Sequence, residues 1–434
     1  MQNYVVNPGG YLRGEFTMPG DKSISHRSII FGAIAEGITH VSGFLQGADC
    51  LATMQAFRTM GVKITDPVNG NLTINGVGLN GLRAPDSIID LGNSGTSIRL
   101  LMGLLAGQNF SSVLTGDASL CKRPMARMAK PLREMGAEIS MRDDNFPPVN
   151  IIGHKKLRAI NYVMPVASAQ VKSGLLLAGL YANGITMISE PAPTRDHTER
   201  LLGTFGCQVE RKANQIILTK PSHLKATNLS VPADISSAAF FMVGAAIAPG
   251  SEVILKNIGI NPTRTGIINI LQLMGADIQL FNQCKLGEEP VADIKIKYSK
   301  LKGIHIPKEL VPLAIDEFPA IFIAAACAKG TTVLTGAEEL RIKESDRIQV
   351  MADGLTAVGI TVQVTSDGII ISGEKIRGGI VNSHGDHRIA MSFAMAGLAA
   401  SEEIIIQDCK NVDTSFPGFA ELAQQAGLDI ITEN

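Results

Sequence analysis

Apolar and polar positions along this chain form blocks with helical and strand-like periods, and one block pattern occurs six times. Each copy has an apolar residue, a glycine, two variable residues and a β-branched residue, as in Met274-Gly275-Ala276-Asp277-Ile278. A helix-like stretch precedes the glycine and a strand-like run follows it, which predicts a left-handed helix C-terminus that leads into a strand. These glycines, spaced roughly 70 residues apart, are Gly61, Gly136, Gly206, Gly275, Gly359 and Gly427.

The repeats also predict how the chain divides into domains. Six units that each contain helices and strands are typical of two domains with three units each, and their period is too long for a solenoid. The midpoint of the repeats falls near Val231-Pro232-Ala233-Asp234. We therefore expect one domain of residues 20–233 and a discontinuous domain of residues 1–19 plus 234–434, with the short N-terminal piece completing the second block.

Composition limits the classes of function. The chain has 434 residues, of which 45% are hydrophobic, so it can form two domains with large cores. A net charge of −1 argues against a nucleic-acid partner. Six cysteines without a C-x-x-C pair predict reduced thiols rather than a disulfide framework or a zinc site. The apolar runs are shorter than a membrane span and no signal-peptide pattern is present, so we expect a cytoplasmic protein with no membrane segment.

The segment Pro19-Gly20-Asp21-Lys22-Ser23-Ile24-Ser25-His26-Arg27-Ser28 has the pattern of a helix start. A Pro-Gly turn and cap-type residues precede an apolar stretch. The four-residue spacing predicts that Lys22 faces His26 and that Ser23 faces Arg27. Backbone N–H groups, a lysine, a hydroxyl and an arginine would then converge on one point, which suits a phosphate or a carboxylate. Taken alone, the segment also fits a capped helix with solvated charges.

Similar polar motifs precede other apolar stretches in both halves. In the run from Arg341 to Arg347, the spacing predicts Lys343 and Arg347 on one helical face, with Glu344 alongside. Because the chain has no net positive charge, cations at so many helix starts favour a cleft between two domains that binds a small polyanion. Asp316 and Glu344 would repel such a ligand, so we expect carboxylates at this place only because they transfer protons. The other motifs are Gly92-Asn93-Ser94-Gly95-Thr96-Ser97, Lys122-Arg123-Pro124-Met125, Ser168-Ala169-Gln170-Val171-Lys172, Arg195-Asp196-His197-Thr198-Glu199 and Asp386-His387-Arg388.

Together with Asn261-Pro262-Thr263-Arg264, these motifs resemble, in order and over essentially the whole length, those of the 5-enolpyruvylshikimate-3-phosphate synthase family, in forms similar to its bacterial class II branch. The resemblance implies an α/β fold, a two-domain inverse α/β barrel of the enolpyruvyl transferase type. Each domain would have three βαβαββ units, with helices inside and sheets outside, and the active site would lie in a cleft that closes by hinges at the two crossovers. A monomer is expected.

The reaction implied by the resemblance transfers the carboxyvinyl group of phosphoenolpyruvate to the 5-hydroxyl of shikimate 3-phosphate and releases phosphate, in the shikimate pathway to chorismate. No cofactor and no metal are implied, because arginines supply the positive charge. Asp316 would take the proton from the 5-hydroxyl, Glu344 would protonate the methylene carbon and later remove a proton, and Lys22 would complete the catalytic set. The expected shikimate 3-phosphate ligands are Lys22, Ser23, Arg27, Ser168, Gln170, Arg195, Asp316 and Lys343. The expected phosphoenolpyruvate ligands are Lys22, Gly95, Arg123, Gln170, Arg347 and Arg388.

The chain departs from the family pattern in two places. Many members have a lysine before Ser/Thr-Phe-Pro near the C-terminus, whereas this chain has Asp413-Thr414-Ser415-Phe416-Pro417. Many also have proline where this chain has Leu100. Glyphosate competes with phosphoenolpyruvate in this family, and two signals conflict here: the chain keeps Gly95, where some tolerant members have alanine, but its motifs resemble the tolerant branch. We interpret His387 as a core or positioning residue.

Two other functions are compatible with parts of the pattern. The related transferase that acts on UDP-N-acetylglucosamine has a catalytic cysteine in a mobile loop, and Cys121 lies near a suitable place. The adjacent Lys122-Arg123-Pro124-Met125, however, is the shikimate-type motif. A non-catalytic anion-binding repeat scaffold would keep the basic helix starts but would have no use for Asp316 and Glu344.

Overall fold

The computed structural model describes residues 2–153 and 156–433, and the chain divides into two compact units. Unit 1 comprises Met1–Pro19, Pro232–Lys285 and Pro290–Asn434, and unit 2 comprises Gly20–Val231 and Leu286–Glu289.

The described residues form twelve α-helices and five short 3-10 helices. The α-helices are α1 Lys22–Ile34, α2 Ala48–Thr59, α3 Gly95–Ala106, α4 Ala126–Glu134, α5 Ala169–Gly179, α6 His197–Thr204, α7 Ile235–Ile247, α8 Gly266–Leu273, α9 Phe318–Ala326, α10 Arg347–Ala357, α11 His387–Ala396 and α12 Phe419–Ala426. The 3-10 helices are Leu120–Lys122, Lys308–Leu310, Glu338–Ile342, Gly397–Ala399 and Lys410–Thr414.

The strands in the described residues are short. They are β1 Asn3–Val6, β2 Arg13–Thr17, β3 Glu36–Ser42, β4 Lys63–Ile64, β5 Leu72–Val77, β6 Ile89–Asp90, β7 Ser112–Thr115, β8 Glu138–Arg142, β9 Phe146–Ile152, β10 Asn161–Val163, β11 Ile185–Ser189, β12 Val209–Lys212, β13 Gln215–Thr219, β14 Asn228–Ser230, β15 Glu252–Gly259, β16 Asp277–Leu286, β17 Glu289–Lys297, β18 Thr331–Leu334, β19 Val362–Val364, β20 Ile369–Ser372, β21 Gly379–Asn382, β22 Ile404–Gln407 and β23 Ile430–Glu433.

Each unit contains three small sheets, and the three sheets of unit 2 share one pairing pattern. In unit 2 the strand orders are β6-β7-β9-β8, β10-β11-β13-β12 and β14-β3-β5-β4, and in each sheet the first pair is parallel and the next two are antiparallel. The sequence β6-α3-β7-α4-β8-β9 is one complete βαβαββ unit, and β10 to β13 form the next with α5 and α6. Strand β14, which lies last in this unit's main segment, takes the first position of the remaining sheet.

The N-terminal strands complete two sheets of unit 1. Strand β2 pairs parallel to β15 in the sheet β16-β17-β15-β2. Strand β1 lies between β22 and β23, antiparallel to both, in the sheet β21-β22-β1-β23. The third sheet of this unit is β18-β20-β19. The N-terminal segment is therefore part of the repeat architecture.

Three helices in each unit are buried around most of their circumference, namely α1, α3 and α5 in unit 2 and α7, α9 and α11 in unit 1. In α7 all 13 residues are buried. A helix that is apolar on every side has to lie inside a core. Strands such as β3, in contrast, have exposed residues that alternate with buried ones near the strand end. Each unit thus has helices inside and sheets outside.

The six repeat glycines adopt the left-handed conformation that the pattern predicted. Their φ angles lie between +86° and +115°, and each glycine lies one or two residues after the end of an even-numbered helix, α2 to α12. Only glycine adopts such angles without a steric penalty on Cβ. The predicted helix ends are confirmed.

Candidate active site

The start of α1 brings three of the predicted ligands together in unit 2. Asp21 caps the helix, since its side chain accepts a hydrogen bond from the N–H of Ile24 at 2.8 Å. Arg27 Nη1 donates to the carbonyl oxygen of Ser23 at 2.9 Å, so these two residues share one helical face as predicted. Lys22 Nζ lies 2.5 Å from a carboxylate oxygen of Asp49, at the start of α2. The lysine is therefore paired in this state of the site.

Hydroxyl groups of two further helices hold the Arg27 guanidinium. Its Nε donates to Thr198 Oγ1 at 2.7 Å and its Nη2 donates to Ser173 Oγ at 2.8 Å. Thr198 in turn donates to Ser173 at 2.7 Å. Because Thr198 is in α6 and Ser173 is in α5, this arginine joins the N-terminal parts of three helices. A fixed guanidinium at such a junction is well suited to bind a phosphate.

Gln170 and Ser168 lie at the start of α5. Ser168 is its N-cap residue and accepts from the N–H of Val171. The amide oxygen of Gln170 accepts from Arg99 Nη1 at 2.8 Å, and its amide nitrogen donates to Thr96 Oγ1 at 3.1 Å. Gln170 thus connects α5 with the first turn of α3. Arg195, half-buried, precedes α6 by two residues.

Gly95 begins α3 between two guanidinium groups. A Cβ atom on this residue would lie 2.9 Å from Arg99 Nη1 and 3.2 Å from Arg123 Nη1. Arg123 is fixed from the other side, because its Nη2 donates to Asn93 Oδ1 at 2.5 Å and to Ser119 Oγ at 3.1 Å. The absence of a side chain at Gly95 therefore leaves space beside two cations at a helix N-terminus, a setting that favours a small anion.

A buried ionic cluster supports α5 and α6 behind these ligands. Lys172 Nζ is fully buried and lies 2.7 Å from Glu199 Oε1 and 3.1 Å from Glu190 Oε2. Arg211 also pairs with Glu190, at 2.5 Å. Burial raises the pKa of the Glu199 carboxyl, although the Lys172 charge opposes that shift. Lys172, a cation of the Ser-Ala-Gln-Val-Lys motif, is thus part of the support for these helices.

In unit 1 the guanidinium of Arg347 contacts both residues of the predicted acid–base pair, Asp316 and Glu344. Arg347 Nη2 lies 2.6 Å from Glu344 Oε2, and Nη1 lies 3.3 Å from Asp316 Oδ1. Its Nε donates to Asp386 Oδ2 at 2.8 Å, and both of these side chains are almost completely buried. Burial alone would lower the pKa of Arg347, but the charges of Asp386, Glu344 and Asp316 outweigh it and raise the pKa. The guanidinium therefore stays charged.

Two further cations, Arg388 and Lys343, interact with Asp316. Arg388 Nη1 donates to the Asp316 carbonyl oxygen at 3.1 Å, and Nη2 lies 3.9 Å from Asp316 Oδ2. Burial lowers the pKa of the Lys343 ammonium, while the charges of Asp316 and Glu339 oppose this shift. The predicted residues of unit 1 therefore form one cluster.

The prediction that Lys343 and Arg347 share a helical face is wrong. Lys343 follows the 3-10 helix Glu338–Ile342 with a non-helical backbone, and α10 begins only at Arg347. Asp346 caps that helix by accepting from the N–H of Gln349 at 3.1 Å. A cap immediately before Arg347 sets the helix start there, so Lys343 and Glu344 belong to the loop that precedes it.

The motif residue Arg264 has a supporting place in unit 1. Its Nη2 lies 3.0 Å from Asp234 Oδ1 and donates to Ser236 Oγ at 2.5 Å, and Ser236 donates to Glu317. Glu317 is adjacent to Asp316 in sequence and is buried. This network fixes the start of α9 and, with it, the backbone that carries Asp316.

Several residues of the site were not predicted to have a role. Asp49, Ser173 and Thr198 come from segments distant in sequence from the residues they hold, so local spacing gave no signal for them. For Arg99 the sequence did contain a signal, because Arg99 lies four residues after Gly95 on the same helix and so faces it. For Asp386 the signal was its place before an apolar helix, since an aspartate there predicts an N-cap. Its side chain does accept a hydrogen bond from the N–H of Arg388.

Within the described residues, no group of three or more histidine, cysteine, aspartate or glutamate side chains could hold a metal ion. Over residues 2–153 and 156–433, none of the helices has the length and hydropathy needed to cross a lipid bilayer.

Comparison with known proteins decides the family. The family model described as EPSP synthase (3-phosphoshikimate 1-carboxyvinyltransferase) matches residues 6–422. The chain belongs to the EPSP synthase family. It is 62% identical, over 98% of both chains, to the 3-phosphoshikimate 1-carboxyvinyltransferase of Methylococcus capsulatus. It is 61% identical to the enzyme of the same name from Nitrosococcus oceani, over 98% of this chain and 96% of the relative.

A solved structure of EPSP synthase from Acinetobacter baumannii superposes over the full length of both chains, with a TM-score of 0.90 and 60% sequence identity. The predicted fold class, with three repeats in each half and helices inside, is confirmed. Family membership makes the chain a carboxyvinyltransferase rather than a non-catalytic scaffold.

Proposed function

We propose that this chain performs the EPSP synthase reaction with two sets of residues, one in each unit. Phosphoenolpyruvate gives its carboxyvinyl group to the 5-hydroxyl of shikimate 3-phosphate, and phosphate is released. The observation that carries the proposal is the contact of the Arg347 guanidinium with both Asp316 and Glu344. An arginine next to two carboxylates is expected at a site that both binds an anionic substrate and transfers protons.

Shikimate 3-phosphate is assigned mainly to unit 2. Its phosphate would meet Ser23, Ser168 and the Arg27 guanidinium, which the hydroxyls of Thr198 and Ser173 hold in place. Gln170, Arg195 and Lys22 complete this set, and Lys343 and Asp316 are the proposed contacts in unit 1. The phosphate dianion suits this set because helix N-termini and a fixed guanidinium both stabilise negative charge.

Phosphoenolpyruvate is assigned to cations of both units. In unit 2 these are Lys22 and Arg123, which lies beside Gly95, and the neutral amide of Gln170 is a further proposed contact. In unit 1 they are Arg347 and Arg388. Three arginines would neutralise the phosphate and the carboxylate, and they would stabilise the phosphate as it leaves.

The proton transfers are assigned to the two carboxylates of unit 1. Asp316 removes the proton of the 5-hydroxyl as its oxygen bonds to C2 of phosphoenolpyruvate, and Glu344 gives a proton to the methylene carbon C3. In the second step the C2–O bond to phosphate breaks and Glu344 takes a proton back from C3, which restores the double bond. The hydroxyl proton leaves with phosphate, so Asp316 and Glu344 both return to their starting states.

Binding of phosphoenolpyruvate would also change the partners of these carboxylates. Arg347 contacts Asp316 and Glu344 through its two terminal nitrogens, while its Nε is bound to Asp386. A bound anion would compete for the same terminal nitrogens. Loss of a neighbouring positive charge makes a carboxylate a stronger base, so substrate binding itself would prepare both groups for proton transfer.

We propose that the two assigned sets act on the same pair of substrates, with residues 20–233 and residues 1–19 plus 234–434 as the functional domains. One chain supplies every residue in the proposal, which supports a monomer as the working form. The reduced cysteines support a cytoplasmic location, because all six are free.

A phosphate-release assay tests the activity. With phosphoenolpyruvate present, shikimate 3-phosphate should give turnover, and UDP-N-acetylglucosamine should give none. Shikimate is the matched acceptor control, because it has the same 5-hydroxyl and lacks the phosphate assigned to Arg27. Phosphate release that is equal with shikimate and with shikimate 3-phosphate would contradict the assigned phosphate site, and absence of turnover with shikimate 3-phosphate would contradict the function.

A further inference from the structure

Four buried side chains form a hydrogen-bonded chain across the first three helices of unit 2. His26 Nδ1 in α1 lies 2.8 Å from Thr53 Oγ1 in α2. Thr53 Oγ1 lies 2.5 Å from Ser97 Oγ in α3, and Ser97 Oγ lies 2.6 Å from Ser94 Oγ. His26, Thr53, Ser94 and Ser97 are each completely buried. None of them is among the residues assigned to substrate.

The surroundings of His26 favour the neutral imidazole, with its proton on Nδ1. Burial, together with the charges of Lys22 and Arg27, lowers the pKa of His26 well below its ordinary value. Within the described residues, His26 Nε2 has no hydrogen-bond partner. A buried N–H without an acceptor is more costly than a ring nitrogen without a donor. The proton therefore belongs on Nδ1, where it is donated to Thr53.

This hydrogen-bonded chain connects α1 with the start of α3. Ser23 and Arg27 on α1 are assigned to shikimate 3-phosphate and Lys22 to both substrates, whereas Gly95 on α3 is assigned to phosphoenolpyruvate. At one end, His26 lies between Lys22 and Arg27 on α1, and Lys22 is paired with Asp49. At the other end, Ser94 caps α3 by accepting from the N–H of Ser97 at 3.1 Å, and Gly95 follows directly. The connection is continuous and is inaccessible to solvent. A substitution at His26 can therefore displace the first turn of α3, which begins at Gly95, although His26 itself contacts no substrate.

We propose that His26 is a positioning residue that holds the Gly95 end of α3 through Thr53 and Ser97, and so sets the affinity for phosphoenolpyruvate. The proposal rests on the proposed function of this site. The predicted shikimate 3-phosphate ligands on α1 have their own supports, since Arg27 is held by Thr198 and Ser173. Loss of the chain should therefore act on one substrate more than on the other.

Two amide variants of His26 separate positioning from packing. The amide nitrogen of asparagine can occupy the place of Nδ1, whereas that of glutamine reaches the place of Nε2 and leaves Thr53 without its partner. We expect His26→Gln and Ser97→Ala to raise the KM for phosphoenolpyruvate about 3- to 10-fold, as one lost hydrogen bond predicts. The KM for shikimate 3-phosphate should change less than about twofold. His26→Asn should stay near the wild type.

Ser28→Ala is the matched control, because its buried hydroxyl donates within α1 to the carbonyl oxygen of Ser25 at 2.8 Å. It should leave both KM values unchanged. Equal increases of both KM values in His26→Gln, or an effect of His26→Asn as large as that of His26→Gln, would overturn the positioning role.

A spectroscopic measurement tests the chain independently of turnover. Long-range ¹H–¹⁵N correlation of ¹⁵N-histidine-labelled protein should show His26 as a neutral Nδ1–H tautomer at pH 7, and Ser97→Ala should shift its signals. An imidazolium or an Nε2–H tautomer would overturn the inference even in an active enzyme. Absence of wild-type turnover together with the expected tautomer would instead contradict the proposed function.

Discussion

At the scale of single residues, Arg347 shows how the site pairs its charged groups with one another in the absence of substrate. Its guanidinium contacts Asp386, Glu344 and Asp316, and it is almost completely buried. Asp386 is buried as well and binds Nε, so it orients the guanidinium and stays paired when an anion takes the terminal nitrogens. The carboxylates of Glu344 and Asp316 are less buried and can exchange this arginine for another partner.

The first prediction concerns these two carboxylates. Asp316→Asn and Glu344→Gln keep the size of each side chain and remove the proton acceptor, so turnover should fall by about 10²- to 10⁴-fold. Steady-state phosphate release measures this, and Glu338→Gln, at an exposed position of the preceding 3-10 helix, is the control with expected normal turnover. Near-normal turnover in either variant would remove that residue from the proposed mechanism.

Arg123 carries the second prediction. Its contacts with Asn93 and Ser119 direct the guanidinium toward Gly95. Arg123→Ala should raise the KM for phosphoenolpyruvate far more than that for shikimate 3-phosphate, since loss of a charge-assisted hydrogen bond costs about 1.5–3 kcal/mol. Initial rates with each substrate varied in turn measure the two constants. Equal increases would show that Arg123 has only a structural role.

The third prediction concerns glyphosate and Gly95. A methyl group here would meet Arg99 Nη1 at 2.9 Å and Arg123 Nη1 at 3.2 Å, so Gly95→Ala would displace the ends of two flexible side chains and fill the space between them. Glyphosate is longer than phosphoenolpyruvate and should lose more. We expect partial sensitivity in the wild type and an inhibitory concentration at least about tenfold higher in Gly95→Ala, a difference of about 1.4 kcal/mol.

Inhibition curves at fixed phosphoenolpyruvate measure this difference, and the KM for phosphoenolpyruvate should rise less than the inhibitory concentration. A wild-type enzyme that is indifferent to millimolar glyphosate, with no change in Gly95→Ala, would contradict it.

Residues that contact neighbours along one helix could be predicted from sequence, and residues that meet through the fold could not. The Ser23–Arg27 contact follows from a spacing of four, and it is present. The support of Arg27 by Ser173 and Thr198 joins positions far apart in the chain, and no local pattern encodes it. The error at Lys343 has a local cause, because the capping aspartate Asp346 outweighs the apparent helical period that precedes it.

At the scale of elements, the end of each even-numbered helix is the most regular feature of the chain. α6 shows it in its simplest form, because its repeat glycine, Gly206, has a φ of +86° and a Cβ there would meet no atom within 4 Å. Any cost of a side chain at this position is therefore purely conformational. Gly203, inside the same helix, also has open space but an ordinary backbone.

This contrast gives the fourth prediction. Gly206→Ala should lower the free energy of unfolding by about 1–2 kcal/mol, the cost of a left-handed conformation for a residue with Cβ. Gly203→Ala should raise it by about 0.5–1 kcal/mol, because alanine is the better helix former and no contact is disturbed. Urea unfolding of both variants measures the two changes. If both variants shift stability in the same direction, backbone conformation does not control this helix end.

At the scale of the whole molecule, the repeats could be predicted because each ends in a glycine that a strand follows. The closing of the sheets could not be predicted in detail. Strand β1 inserts between β22 and β23, and β14 pairs with β3 at the other end of its unit. These pairings link segments separated by most of a domain, and the local pattern of apolar residues does not specify which distant strands pair. The outcome is two units, each with a core of its own.

The last prediction follows from the assignment of one pair of anionic substrates to cations of both units. Binding that needs both sets at once shifts the population toward a closed form. Small-angle scattering should therefore give a smaller radius of gyration at saturating shikimate 3-phosphate and glyphosate than for the free protein. Arg123→Ala should need more glyphosate to reach the same value. An unchanged radius at proven saturation of both ligands would contradict closure while leaving the residue assignments open to the kinetic tests.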